Sequence, residues 1–359
     1  MTKSIWRLLD TGVRNAAENI ALNRALLEAR QSDEAPNTLR FLQFEPSALL
    51  GFHQSAEQEL NLDYCNANGI AVQRRITGGG AIYMDQTQLG WELYLSKQTL
   101  GSADMQAISK RICEAAARAI ASFGLDARYR PRNDIEVGGR KISGTGGAFD
   151  GDALMFQGTL LIRFDVEKML RVLRIPAEKL SDKAIASARE RVGNLYDLLG
   201  RELPLDEVKT VMTSTFADEF GVEFEAQPLN DAERRRFNTA LAEIETRDWV
   251  DMVTRPRVEQ PLREGAKKFA GGLLRAAVLV DARTRRLKQI WLTGDVFIQP
   301  KRTLVDLEAA LRDTSIDDLA PNIERFFVAR EVDLFGLSPA DFIELIGPLT
   351  EPDFEQAAT

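Results

Sequence analysis

Residues Asn133 to Phe164 read NDIEVGGRKISGTGGAFDGDALMFQGTLLIRF, and this stretch sets the fold class. Residues 135–137 and 140–143 carry strand patterns on either side of Gly138-Gly139, a pair suited to a two-residue hairpin turn. Asp150-Gly151-Asp152 is a second turn and leads into a strand over 154–164. Strands joined by hairpins rather than by helical crossovers predict an α+β domain with a mostly antiparallel sheet, and argue against a doubly wound parallel one.

Working outward, Val13, Ala17, Ile20, Ala21, Ala25 and Leu26 recur at helical spacing and predict a helix over 12–30. A strand is expected at 39–44, a helix at 56–68 stopped by Gly69, and strands at 72–75, 81–83 and 89–96. Asp104 reads as the cap of a helix ending near Gly124. Helices follow at 205–220 and 229–246. Pro256 and Pro261 mark a boundary within 246–262. Beyond it, strands at 273–280 and 287–292 and helices at 303–312, 316–328 and 338–347 form a smaller α+β unit. The expected division is a larger domain over 1–250, a linker over 251–262 and an accessory domain over 263–359.

The chain has 359 residues, 46 Lys plus Arg against 54 Asp plus Glu, and a net charge of −8. Bulk charge therefore does not suit nucleic acid, whose binding needs many phosphates neutralised. One histidine, His53, excludes a multi-histidine metal site. Cys65 and Cys113 stand far apart and form no disulfide framework, which suits a reducing compartment. The first ten residues carry no leader-like apolar run, and no apolar stretch reaches a membrane-spanning length, so a cytoplasmic setting is expected.

Four segments carry candidate chemistry. Arg74, Arg75, Ile76, Thr77, Gly78, Gly79, Gly80 and Ala81 put two arginines before three glycines. Ordering three glycines costs backbone entropy, and one reason to do so is the close approach of main-chain N–H groups to an anion. Asn133 and Asp134, with Arg140, Lys141, Ser143 and Gly144, put a lysine on a strand between glycine turns. Such a cation can stabilise charge developing on a phosphate or carbonyl oxygen. Gln157, Gly158 and Thr159 interrupt an apolar strand, which read plainly would be a core strand with a bulge at Gly158. Residues 179–194, with Lys183, Ser187, Arg189, Arg191 and Asn194, read as a polar loop with several donors. Arg74, Arg75, Arg132, Arg140, Lys141, Lys183, Arg189 and Arg191 together predict one electropositive pocket for a polyanion such as a nucleotide. No Walker or dinucleotide motif is present, and neither cysteine lies where its thiol would be activated.

The run from Arg74 to Tyr83 followed by Asp85 resembles the signature of lipoate–protein ligases. Gln54 with Glu59-Leu60-Asn61, then Asn133-Asp134-Ile135, Arg140 to Gly144, Gly158 to Leu161 and Arg191 to Leu195 follow in that family's order. The resemblance covers about residues 10–245, and the tail is similar to the family's accessory domain. It implies the catalytic fold shared by biotin and lipoate ligases and class II aminoacyl-tRNA synthetases. It also implies an enzyme that joins lipoate or octanoate to the α-phosphate of ATP and passes the acyl group to a lysine of an acceptor protein. The resemblance puts the acyl chain along Arg74, Arg75, Thr77, Gly78, Gly79, Gly80 and Ala81, and the adenylate phosphate near Lys141. Asn133, Asp134, Ser143, Gly144, Gln157, Gly158, Thr159 and Lys183 complete the implied substrate and adenylate set, with Asp134 also implied as a Mg²⁺ ligand. Two anions meet in such a reaction, so Lys141, an arginine and Mg²⁺ are expected to neutralise them.

Two positions depart from the family pattern, Met84 and Gln157, where histidine often stands. The rival readings are an octanoyltransferase of the same superfamily and a non-catalytic lipoate- or adenylate-binding protein. The former generally uses a cysteine, and none stands at 153–157.

Overall fold

The computed structural model describes residues 3–131, 133–174 and 182–351. Arg132 and the beginning of the 179–194 segment lie outside the described residues. The strands, in chain order, are β1 (Ser4–Arg14), β2 (Thr38–Phe44), β3 (Ser47–Leu50), β4 (Ala71–Arg74), β5 (Ile82–Met84), β6 (Gln88–Ser96), β7 (Ala127–Arg130), β8 (Asp134–Val137), β9 (Arg140–Asp150), β10 (Ala153–Leu161) and β11 (Val222–Ala226). Four more follow: β12 (Arg263–Phe269), β13 (Gly272–Asp281), β14 (Arg286–Gly294) and β15 (Thr314–Ser315).

Among the described residues, eight strands form one sheet in the order β11-β1-β2-β6-β10-β9-β8-β7. Only the pairs that β1 makes with β11 and β2 are parallel; the others given for this sheet are antiparallel. The hairpin reading of the sequence therefore gave the right sheet. Gly138 and Gly139 both have positive φ, 57° and 78°, as a tight β8–β9 turn requires. Gly151 at φ 56° turns β9 into β10. Register runs unbroken from Ala153 to Leu161, so no bulge occurs at Gly158.

Alternation divides the two faces of this sheet. Trp91, Leu93, Leu154, Phe156 and Leu160 enter a core closed by the helices Met105–Ala121 and Leu205–Phe220. Trp91 lies 5.4 Å from Phe216 between ring centroids. The opposite face carries the helix Ala16–Gln31, seated by polar groups: Arg40 donates to Glu92 Oε2 at 3.0 Å and to Asn19 Oδ1 at 2.6 Å. Asn23 donates to Glu92 Oε1 at 2.6 Å and to Tyr94 at 3.0 Å. Every charge in this buried network has a partner, which is the condition for tolerating it.

Two expectations needed correction, and one strand was not expected. The helix expected from residue 12 begins at Ala16, where the Asn15 side chain accepts from Glu18 N; residues 12–14 end β1, a strand whose parallel partners lie far along the chain. The helix expected at 56–68 is two, Ala56–Glu59 and Leu62–Ala67. It breaks because Asn61 caps the second and sends its own N–H to Val172 O at 2.8 Å. Strand β12 carried no pattern strong enough to predict it.

The chain divides into two units. One comprises Met1–Leu49, Asn61–Gln73 and Ile82–Trp249; the other comprises Leu50–Leu60, Arg74–Ala81 and Val250–Thr359. In the second, helices Thr303–Leu311, Leu319–Val328 and Pro339–Thr350 pack an apolar core on one face of the β12-β13-β14-β15 sheet. Leu262 and Val253 join Ala277 and Trp291 in a separate apolar cluster.

Within the first unit, Arg7 and Glu233 form a two-bonded ion pair, one contact measuring 2.6 Å, with side chains 2% and 0% exposed. Glu233 also completes the capping box of helix Asp231–Ile244. Removing one partner strands a buried charge, so Glu233→Gln or Arg7→Met should each cost about 3–5 kcal/mol in urea unfolding. The double variant Arg7→Met/Glu233→Leu should recover most of that loss. Losses that simply add in the double variant would contradict the pairing.

Candidate functional site

Lys141 is the second residue of β9 and turns back over its own strand. A Cβ placed on Gly144 would sit 3.0 Å from Lys141 Nζ and 3.1 Å from its Cε, so the missing side chain makes room for the lysine. The ammonium lies 2.7 Å from Asp134 Oδ1, and Asp134 pairs directly with Gly144 across the ladder. Lys141 is 43% exposed at its side chain and Asp134 13%, so the cation is held but reachable.

The register extends this face. Gly144 pairs with Thr159 and Gly146 with Gln157. A Cβ on Gly146 would meet nothing within 4 Å. Lys141 thus covers Gly144, opposite Thr159, while Gly146 leaves open space opposite Gln157. Main-chain bonds fix the lysine from the other side: Lys141 N donates to Arg191 O, and Gly193 N donates to Lys141 O, both at 2.8 Å. The end of the 179–194 segment is thereby tied to Lys141. Lys183 lies in the helix Asp182–Glu190 that precedes it, and Arg189 on the same helix pairs with Glu167 at 2.7 Å.

Not all the expected residues share that face. Ser143 pairs with Leu160 and is 0% exposed on the core side, its Oγ without a hydrogen-bond partner among the described residues. Gly158 also faces the core, where a Cβ would come within 2.2 Å of the Trp91 indole. Its glycine is explained by packing. Asn133 accepts Thr145 N (2.8 Å) and Oγ1 (3.0 Å) at its main-chain oxygen.

The arginine–glycine run belongs to the second unit and differs from expectation. Both arginines were expected to offer charge to an anion; both are instead sunk among main-chain carbonyls. Arg74 donates to the carbonyl oxygens of Gly51 (3.0 Å), Phe52 (2.9 Å), Gln54 (2.6 Å) and Val250 (2.6 Å). Arg75 donates to those of Gly78 (3.1 Å) and Gly80 (2.9 Å). Burial pushes each guanidinium down to about 10, still charged at neutral pH. Thr77 accepts Phe52 N at 2.9 Å through its main-chain oxygen, and the run ends at Ala81. The glycines allow close backbone approach, but to the chain itself: a Cβ on Gly78 would lie 2.2 Å from Val296 O, and one on Gly79 (φ 91°) 3.0 Å from the Phe297 ring.

At the implied metal ligand, the Lys141 ammonium forms an ion pair 2.7 Å from Asp134 Oδ1, an oxygen that accepts no hydrogen bond among the described residues, and Oδ2 accepts Arg130 Nη2 at 2.7 Å. Among the described residues no group of three His, Cys, Asp or Glu could hold a metal.

Residues 15–217 match the lipoyl protein ligase A/B catalytic domain, more than half of the chain. The chain belongs to the lipoyl protein ligase A/B family. It is 31% identical over 229 residues to lipoate-protein ligase A subunit 1 of Thermoplasma acidophilum, covering 61% of this chain and 85% of that one. It is 24% identical over 270 residues to the octanoyltransferase LipM of Moorella thermoacetica, covering 70% and 99%. Its fold superposes on a bipartite lipoate-protein ligase of T. acidophilum with a TM-score of 0.62 at 29% identity, covering 71% of this chain and 99% of that one. An ATP-bound lipoate-protein ligase A gives 0.59 at 27%, covering 70% and 98%. The catalytic fold of the lipoate ligases and the α+β C-terminal part are thus both present. No helix among the described residues is long and apolar enough to cross a membrane.

For this lipoyl ligase family member, sequence reasoning missed Arg130 and Gly146. The spacing of Arg130 four residues before Asp134 and the alternation of Gly144 with Gly146 were the available signals. Met84, at one of the two departures from the family pattern, is 3% exposed in β5; Gln157, at the other, lies opposite the open space at Gly146.

The single imidazole offers a direct check. Burial, then the charges of Arg74 and Lys301, push His53 down to about 4 from 6.5. Its folded value lies below its unfolded one, so the stability it contributes is present above pH 6.5 and is lost as the pH falls toward 4. The loss should reach about 3 kcal/mol. His53→Gln should flatten that part of the pH–stability curve. NMR should show one histidine spin system that does not titrate until near pH 4, and a midpoint close to 6.5 would refute the buried neutral state.

Proposed function

We propose that this chain is an ATP-dependent lipoate–protein ligase. It activates lipoate or octanoate as the acyl adenylate and transfers the acyl group to a lysine of an acceptor protein. The observation that carries the reading is Lys141, a reachable ammonium laid over Gly144 beside an open, glycine-floored face. A carboxylate oxygen attacking an α-phosphate brings two anions together, and a fixed cation at that point lowers the cost. The carboxylate forms the new P–O bond as pyrophosphate leaves. The acceptor amine then attacks the acyl carbon, AMP departs, and the amine loses a proton.

Lys141 is the proposed catalytic cation. Asn133, Asp134, Gly144, Gln157 and Thr159 form its surroundings, with Ser143 and Gly158 supporting them from the core side. Thr77, Gly78, Gly79, Gly80 and Ala81, shaped by Arg74 and Arg75, are proposed to line the acyl chain, and Lys183 to serve the nucleotide. ATP and lipoate are the proposed small-molecule substrates, and a lipoyl-type acceptor domain is the proposed partner. The ATP-bound relative and the archaeal ligase described with its E2 lipoyl domain support this choice.

The similarity to LipM keeps octanoyl transfer as a second reading. Against it, both thiols are buried: Cys65 is 1% exposed and Cys113 0%. Burial raises both above the ordinary thiol value, Cys113 to about 11. A thiol so held is a poor nucleophile at neutral pH.

Incubating the chain with an apo lipoyl domain, ATP, MgCl2 and lipoate should add the lipoyl mass to that domain and release pyrophosphate. Modification from octanoyl carrier protein without nucleotide would favour the transferase instead. Lys141→Ala should lower pyrophosphate release by roughly 10²–10³-fold, the scale of losing one preorganised charge-stabilising group. Gly146→Val fills open space, so it should fold normally while raising the KM for the acid by roughly tenfold. Unchanged steady-state constants would remove that floor from the substrate site.

A further inference from the structure

Arg130 ends β7, the outer strand of the eight-stranded sheet. It stands directly across from Asp134, which stands directly across from Gly144, over which Lys141 lies. Three adjacent strands therefore set out a row: guanidinium, carboxylate, ammonium. Arg130 Nη2 donates to Asp134 Oδ2 at 2.7 Å, and Lys141 Nζ lies 2.7 Å from Oδ1. A second contact, Arg130 Nη1 to Glu136 Oε2 at 3.5 Å, keeps the guanidinium from swinging out over the edge.

We propose that Arg130 is a positioning residue: by holding Asp134 Oδ2 it fixes the carboxylate that presents Lys141 to the reacting anions, and Asp134 acts as this clamp rather than as a metal ligand.

The argument is geometric. A carboxylate bonded at one oxygen only can rotate about its χ2 torsion and carry its partner with it. Held at Oδ2 by the Arg130 hydrogen bond, with the Lys141 ammonium in ion-pair contact at Oδ1, it cannot turn without breaking that charge-assisted bond. Lysine has a flexible four-carbon stem, so its useful position depends on what meets its end. Gly144 removes the side chain that would push the stem away, and Asp134 supplies the meeting point. As an isolated surface pair, Arg130–Asp134 would contribute little to stability. Its value lies in orientation, where small displacements of a reacting group are costly. A metal at Asp134 would have to displace the Lys141 ammonium 2.7 Å from Oδ1 or the Arg130 guanidinium bonded to Oδ2. Mg²⁺ normally reaches such reactions on nucleotide phosphates with few protein ligands, so the reaction does not need Asp134 for that purpose.

The inference rests on the ligase reading, and the test separates the two. Arg130→Gln, Arg130→Lys and Asp134→Asn are made in the full chain, and lipoate-dependent pyrophosphate release is measured across ATP, lipoate and MgCl2 concentrations. Arg130→Gln should lower kcat roughly tenfold with KM for ATP and lipoate within about twofold of the parent. Arg130→Lys, which keeps the charge and one donor, should recover most of that loss. Neither Arg130→Gln nor Asp134→Asn should move the half-saturating MgCl2 concentration. An undiminished kcat in Arg130→Gln overturns the proposal. So does a rise of tenfold or more in the MgCl2 requirement of Asp134→Asn, which would make Asp134 a metal ligand. If the parent chain releases no pyrophosphate, the ligase reading fails. The clamp is then decided by the crystal structure of Arg130→Gln: Lys141 Nζ beyond hydrogen-bond reach of Asp134 supports it, and an unmoved 2.7 Å contact overturns it.

Discussion

A cation that is to act on an incoming anion has to satisfy two opposed demands. It must be held, because a free lysine spreads over many rotamers, and it must not be neutralised beyond recovery. The contact between Lys141 and Asp134 meets both. The ammonium keeps partial exposure while the carboxylate sits largely inside, at 43% and 13%. The sheet beneath provides what an isolated ion pair lacks, since the register of β7, β8 and β9 fixes both ends. Gly144 favours this arrangement: a Cβ there would crowd the end of the lysine side chain, 3.0 Å from Nζ and 3.1 Å from Cε. The open floor at Gly146, and the placing of Thr159 and Gln157 beside it, follow from the same alternation.

The arginine–glycine run shows how a motif rich in charge can have an electrostatic meaning opposite to its apparent one. Arg74 and Arg75 add two positive charges to the sequence, but Arg74 Nη1 and Arg75 Nη2 donate to carbonyl oxygens of turns that contain glycines. Each guanidinium replaces the water that those carbonyls would otherwise need. The positive charge is thereby turned into loop geometry. A glycine-rich loop has little internal means of holding a shape, so an arginine that bonds the carbonyls of both Gly78 and Gly80 supplies one.

The sequence made the sheet legible where turns and alternation were strong. The Gly138-Gly139 hairpin, the turn at Gly151 and the cap at Asp104 each rest on local chemistry, and each is present. Strand β1 was not legible because its support is remote: its partners are β2 and the distant β11, and its own residues include Gly12 at φ 62°. The site was legible as a set of residue types, from Lys141, Asp134, Gly144 and Thr159. It was not legible as a face. One residue of register separates Ser143, which enters the core, from Gly144, which opens toward the lysine, and nothing in the residue types alone distinguishes them. Arg130 carries no local signal of a partner, since a lone surface arginine is usually solvated. Only the pairing of β7 with β8 gives it a partner.

What the side chains cannot do narrows the chemistry further. His53 is held neutral by burial and by neighbouring positive charge, with a value near 4, so it is a weak base at neutral pH. Cys65 and Cys113 are buried with their thiols raised, so neither supplies a thiolate. Burial thus disfavours the protonated imidazole and both thiolates. In the proposed ligase reaction the nucleophiles come from the substrates themselves, a carboxylate first and an amine second. In that scheme the protein contributes position and fixed charge, and it forms no covalent bond of its own. The fold delivers those two contributions through strand register, where each residue in the row Arg130, Asp134, Gly144 is set by the one beside it.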